Sequence, residues 1–403
     1  MQIDFGNLEL VRLVIERQAN DHLPAMKNHL TTWATLESGD LGLILQALKP
    51  ANDAIVEVGE QVLDKTQEVY AQGADNLKGV INAYADAEQR AHEILQTFAS
   101  SMGLTLPAYE NPLGNLPSLG SAKDDSGPYY RAGDPNLFQQ AYEDGYRAGD
   151  AIQEEIEERI PERLGEMIGS SAAVAEEQDV QSYLVTPTGA FSEIEDLRWS
   201  AGIILGSLDW VFEKLFGFSF LNEIVFKPFA GDWNRIQMAS GAWTVAGDAM
   251  RAVSRNTTGV LPGLAEWTGK GSEGFTVAAA AVAAVVNAIA GVAKTIAAVL
   301  KAFAFLVKEV AAQIGQELRE ASYHLASIAA EAAIPVVGWG AAVLKMAERV
   351  SKIYDAFRKA YKYVNMIYDF LSNIVEAQAS IVDTYRQISQ VVEALVRGAV
   401  ARV

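Results

Sequence analysis

The sequence predicts an all-α protein of long antiparallel helical hairpins packed into an elongated multi-helix bundle. Three observations predict it. The 12 prolines leave 51–106, 263–334 and 336–403 uninterrupted, and proline is the residue that helix interiors exclude. Those windows are rich in Ala, Leu, Glu, Gln and Lys, which are good helix formers. Apolar residues recur at intervals of three and four, and the two-residue alternation of half-buried strands is hard to find anywhere.

The first apolar stripe runs Leu8, Val11, Ile15, Ala19, Leu23, Met26, Leu30, Trp33, one face of an amphipathic helix. Asn7 is its candidate cap, and Pro24 should kink the helix or restart it after Asp21. The helix should stop around 37–40. After Pro50 a second stripe follows at Ile55, Val58, Val62, Val69, Leu77, Val80 or Ile81, and Tyr84. Two such helices joined by a turn must pack their stripes together, which makes 1–102 an N-terminal hairpin.

Residues 103–128 hold four glycines and four prolines. That density excludes regular structure, so the segment reads as a linker or an extended strap. The next stretch, 129–228, is acidic and then aromatic. It opens with Tyr-Arg-Ala-Gly-Asp at 130–134, repeated at 146–150, and carries seven acids against two arginines in 150–166. Such a run reads as a solvated helix face rather than a cation or partner site. Phe191, Trp199, Trp210, Phe212, Phe216, Phe218, Phe220 and Phe226 read as core between helices rather than a cofactor box, because no convergent polar set accompanies them. In 229–403, Asp232 should cap a helix reaching about Asn256, with Trp233, Ile236, Ala239, Trp243, Ala246 and Met250 on its apolar face. Gly259, Pro262 and Gly263 break it, 265–271 forms the turn, and Ser272 should cap the long helix that follows. A last helix runs from Gly338-Trp339-Gly340 to the C-terminus.

Composition narrows the function. The net charge of −19 and a pI near 4.7 argue against a nucleic-acid partner, which needs a basic stripe. The absence of cysteine excludes disulfides, thiolate metal sites and a cysteine nucleophile. Four histidines are few for metal or proton-transfer chemistry. No enzyme, cofactor or metal is expected. His22 and His29 lie seven apart, a ligand spacing only if another helix contributes, and they read as exposed or capping residues. Gly269-Lys270-Gly271-Ser272 lacks both the upstream glycine and the strand of a phosphate loop. The N-terminus has no basic region followed by an apolar core, so no Sec-type signal peptide is expected.

Two short motifs remain. Tyr84-Ala85-Asp86-Ala87-Glu88 places a tyrosine and a glutamate at i,i+4 on one side of the second helix. Trp267-Thr268-Gly269 lies in the turn of the second hairpin. Its bland reading is an aromatic wedge closing the hairpin end and a glycine that lets the chain turn. With the helix lengths, these motifs resemble the WXG superfamily of type VII (ESX) secretion substrates of Actinobacteria and Firmicutes. Residues 1–100 resemble its secretion-associated, toxin-delivery branch, with Tyr84 and Glu88 matching the export signal. Residues 229–320 resemble a second WXG hairpin through Trp267 and Gly269, but without Tyr-x-x-x-Asp/Glu at the corresponding end. The two halves of the bipartite signal thus sit in different hairpins, which leaves the part of Trp267 and Gly269 in export open. Tyr130/Asp134 and Tyr146/Asp150 also fit the tyrosine–acid spacing, and rank below Tyr84/Glu88 because they contain Gly and flank the linker.

The resemblance implies a leaderless protein made in the cytoplasm and secreted or displayed through type VII export. It would act as a structural or effector-delivery module without catalytic activity. The implied partners are the secretion machinery with its membrane ATPase, and a small WXG-type helical partner or a second copy. The alternative is a membrane-active effector contacting the bilayer through 276–344. Residues 276–293 carry no charge and 325–344 only Glu331, each near the minimum span length. The alanine content of the first favours buried helices over insertion.

Overall fold

The computed structural model describes residues 3–36, 39, 41–122, 174, 176–189, 197, 219, 221–264, 267–332 and 339–400. Among the described residues the fold is all-α, with no strand. The helices are α1 (Phe5–Arg17), α2 (Leu23–Ala34), α3 (Leu43–Ser101), α4 (Asn234–Gly259), α5 (Lys270–Ala332) and α6 (Trp339–Val400).

The cap of α1 is Asp4, not Asn7. The Asp4 carboxylate accepts the Asn7 amide N–H at 2.9 Å, and Asn7 is already inside the first turn. A new α-helix starts after Asp21, as expected, with Pro24 in its first turn. A π-turn over Gln18–His22 joins α1 to α2, and the Leu23 N–H donates to the Gln18 carbonyl. The proline then falls in the first turn of α2, where a missing N–H costs least. The second helix begins earlier than the proline pattern suggests, at Leu43, and contains Pro50. One missing hydrogen bond near a helix start is outweighed by burial of Ile44, Leu45 and Leu48.

At 59 residues, α3 is roughly 88 Å long and outruns α1. Beyond Ala85 it projects, leaving Ile94, Leu95 and Phe98 exposed. The described part of the Gly/Pro-rich segment, 103–122, is a strap that returns along this projection. Tyr109 OH donates to the Ala85 carbonyl at 3.2 Å, and Arg17 donates to the Gly120 carbonyl at 3.0 Å. The short tyrosine–acid repeats, the acidic run 150–166 and all the aromatics from Phe191 to Phe220 lie outside the described residues.

Helices α4 and α5 form the second hairpin. Ser240 donates to the Ala297 carbonyl and Ser254 to the Ala283 carbonyl, both at 2.8 Å, a pairing that fixes an antiparallel register. The predicted apolar face of α4 is buried throughout, from Ile236 through Trp243 to Met250. Two predicted caps move. Asp232 accepts from the Asn234 N–H one residue outside the helix, and Ser272 sits inside α5, which starts at Lys270. Helix α6 packs antiparallel to α5, with Phe303 stacked on Phe370 at 6.0 Å and Lys359 paired with Glu317 at 3.2 Å.

The helices close into a ring. Helices α1 and α2 pack on α3, α3 on α6, α6 on α5, α5 on α4, and α4 on α2. One continuous apolar core spans both hairpins. Trp243 of α4 fits over Gly59 of α3, where a Cβ would lie 2.5 Å from the indole. Tyr70 and Thr257 share a hydrogen bond at 2.5 Å, so α4 runs parallel to α3.

Candidate functional site

Tyr84 and Trp267 meet at one end of the ring. The sequence separates them by 183 residues, yet the Trp267 Nε1–H reaches the Tyr84 hydroxyl at 3.4 Å, the long end of hydrogen bonding. Trp267 is buried and held by local geometry. Its backbone N–H donates to the Leu264 carbonyl at 3.0 Å, and its ring lies 6.1 Å from that of Phe275. Gly269 has φ +126°, a conformation that only glycine adopts without strain. The chain turns there, and α5 begins at the next residue, with the Glu273 N–H donating to the Gly269 carbonyl at 3.2 Å. Trp267 and Gly269 therefore do the work of their bland reading, wedge and turn. They also bring the second hairpin against Tyr84.

Glu88 lies one turn beyond Tyr84, exposed, with no hydrogen bond or ion pair to the described residues. Its field is felt at the strap. Partial burial, and then the charges of Glu88 and Asp86, hold the Tyr109 phenol above its ordinary range. Beside the Tyr84–Trp267 contact is a mainly apolar cavity of about 430 Å³ between α3 and the start of α5. Its apolar lining includes Val80, Phe275, Val282 and, from α6, Ala394, with Gln72, Asn76, Thr257 and Lys270 among its polar residues. Nothing in the sequence advertises this cavity. The nearest signal is the Val80 or Ile81 ambiguity in the second stripe, which the structure resolves by burying Ile81 and leaving Val80 on the cavity wall.

A second polar cluster was hidden by the expectation that His22 and His29 are exposed or capping. Both are buried, at 3% and 7% exposure. Helices α1 and α2 lie between α3 and α4, so they bury two faces rather than one. The second face carries Val14, Gln18 and His22 at intervals of four. There the Glu176 carboxylate accepts from His22 Nε2 at 2.9 Å and Gln18 Nε2 at 3.0 Å, and pairs with Arg17. Burial alone would raise the Glu176 pKa. The hydrogen bonds from His22 and Gln18 and the Arg17 charge outweigh it, and the carboxyl titrates below its usual range. Asn256 of α4 joins the cluster by bracketing Gln178, accepting from its N–H at 2.8 Å and donating to its carbonyl at 3.0 Å. His22 and His29 do not converge on a metal, and no group of His, Asp or Glu among the described residues has ligand geometry.

Comparison with known proteins gives no match: no protein-family model, no curated protein and no solved structure corresponds to this chain.

Proposed function

We propose that this protein is a type VII secretion substrate whose export signal is a composite of both hairpins. The observation that carries the reading is the Tyr84–Trp267 contact, with Glu88 exposed one turn away. The tyrosine–glutamate pair and the Trp-x-Gly turn come from separate hairpins and form one end of one bundle. A membrane ATPase of the secretion machinery reads that end, while the remaining helices serve as a structural or effector-delivery module. A small WXG-type helical protein or a second copy completes the exported particle.

The test is export from a type VII-competent host. Glu88→Ala should abolish export with helix content and melting unchanged, because Glu88 is exposed and makes no hydrogen bond or ion pair to the described residues. Tyr84→Phe keeps the ring on Trp267 and removes the hydroxyl, and should reduce export without loss of fold. Wild-type export of Glu88→Ala would remove the reading's residue-level support.

A second reading, membrane action, is favoured by one observation. The stretch Lys270–Ser327 contains a window of mean hydropathy 2.1, long and apolar enough to cross a bilayer. Half of that window is buried, and Val286, Ile296 and Phe303 would have to leave the core at about 1.5–3 kcal/mol each. Leakage of dye-loaded liposomes by the purified chain would favour insertion over delivery.

A further inference from the structure

We infer that the projecting end of the α5–α6 pair is a docking surface for an anionic lipid membrane. Such docking needs no export and, unlike insertion, leaves every core residue in place.

The register of the bundle carries this end past α3 and α4. Ser240 faces Ala297 and α4 begins at Asn234, so α4 reaches no farther along α5 than the level of Phe303. Helix α3 begins at Leu43, and the charge of Glu393 is felt at Lys65, so α3 reaches no farther along α6 than the level of Leu371. Phe303 and Phe370 stack at that level. Beyond it α5 and α6 continue together for roughly 40 Å, tied by Lys359 to Glu317.

The charge of this arm is opposite to that of the whole molecule. In a chain of net charge −19, residues 347–366 of α6 carry five cations and two acids. Lys352 pairs with Glu348 and Lys359 with Glu317, whereas Arg358 and Lys362 have no ion pair to the described residues. All four cations line one open cleft between α6 and α5, with Tyr323 and His324 on its α5 side and Glu320 and Asp355 as its acids. Val350, Tyr354, Arg358 and Tyr361 follow one another at intervals of four, four and three, so they share one outer side of α6. Tyr323, Tyr354 and Tyr361 are 71%, 62% and 58% exposed, and their hydroxyls have no hydrogen bond to the described residues.

Cations alone fit any polyanion, and the tyrosines beside them decide the occupant. In a headgroup layer a tyrosine ring meets hydrocarbon while its hydroxyl stays wet, and each nearby Lys or Arg adds attraction to anionic lipid. An acidic protein offers the cations the same charge but gives separate exposed rings no common apolar layer. The same membrane repels the acidic remainder of the molecule, which turns this end toward the surface.

The experiment is co-sedimentation of the full chain with phosphatidylcholine vesicles, with and without phosphatidylglycerol. The expected result is binding only to the vesicles that contain phosphatidylglycerol, reversed by added salt. Arg358→Glu with Lys362→Glu should weaken binding about tenfold or more, and Tyr354→Ser with Tyr361→Ser should weaken it as well. Lys78→Glu with Arg90→Glu makes the same change of net charge at exposed positions of α3 and should bind as the wild type does. Circular dichroism and thermal melting confirm that all three variants fold. Dye release from the same vesicles reports separately on insertion. The inference is overturned by no binding to phosphatidylglycerol vesicles, by full binding of the α6 charge variant, or by an equal loss in the α3 variant. Full vesicle binding by the tyrosine variant overturns it too, and leaves an acidic protein as the occupant that the charge fits.

Discussion

In the first hairpin the largest fully buried side chains are Leu8, Leu23, Met26 and Leu30 on α1 and α2, and Ile44, Leu45, Leu48 and Leu77 on α3. The α4–α5 hairpin buries Ala239, Ala242, Ala246 and Ala249 against a helix that buries Ala283, Ala290, Ala293 and Ala297. Its serines reach across to backbone carbonyls of the facing helix. Bulky residues hold helices apart and fill the gap. Small residues let the backbones approach and make main-chain atoms available to side chains. The two hairpins should therefore fail in opposite ways, one when volume is removed and the other when it is added.

The largest effect is expected from Leu30→Ala, which should cost about 2–5 kcal/mol because the packed stripe cannot collapse onto the void. Chemical denaturation measures it, and a cost under about 1 kcal/mol would mean that the first hairpin is not packed by volume. Next comes Ala290→Leu. Ala290 is fully buried, and its carbonyl lies 3.1 Å from where a Cβ on Gly247 would sit. Overpacking there should cost about 1–3 kcal/mol. A neutral result would show that the α4–α5 spacing is slack.

Acid should act mainly around the first hairpin, where His29 of α2 and Glu176, packed against α1, are buried groups whose displaced titrations fall on the acid side. Burial lowers the His29 pKa from 6.5, and its Nε2 has no hydrogen-bond partner. The unfolded chain binds the proton more readily, so this contribution is lost as the pH falls below about 6.5. Glu176 has the same sign. Its folded-state pKa lies below 4.5, and its contribution, present above that value, is lost as the pH falls through the folded-state value. Melting temperature should thus hold near neutrality and decline in two stages on acidification. His29→Leu should remove the upper stage only, and an unchanged profile in that variant would assign it elsewhere. The smallest effect is Ser240→Ala, about 0.5–1.5 kcal/mol for one side-chain hydrogen bond to the Ala297 carbonyl, resolvable in a double-mutant cycle with Ser254→Ala.

Local sequence determined the helices themselves. The stripe Leu8 to Leu30, the face Ile236 to Met250 and the break around Gly259–Gly263 were all legible, because a 3.6-residue repeat and a turn-forming glycine act within a few residues of themselves. The caps were legible only approximately. Asp4 and Asn7, or Lys270 and Ser272, compete within one turn, and packing shifts the boundary. Tertiary structure alone decided what lies between helices. It gave α1 and α2 two buried faces, turning His22 and His29 from surface residues into core ones. It set Trp243 over Gly59, joining the hairpins in one core. It also brought Trp267 to Tyr84, so that two motifs from separate hairpins share one end of the bundle. Such pairings depend on the order in which helices close the ring, and no residue carries that order in its immediate neighbours.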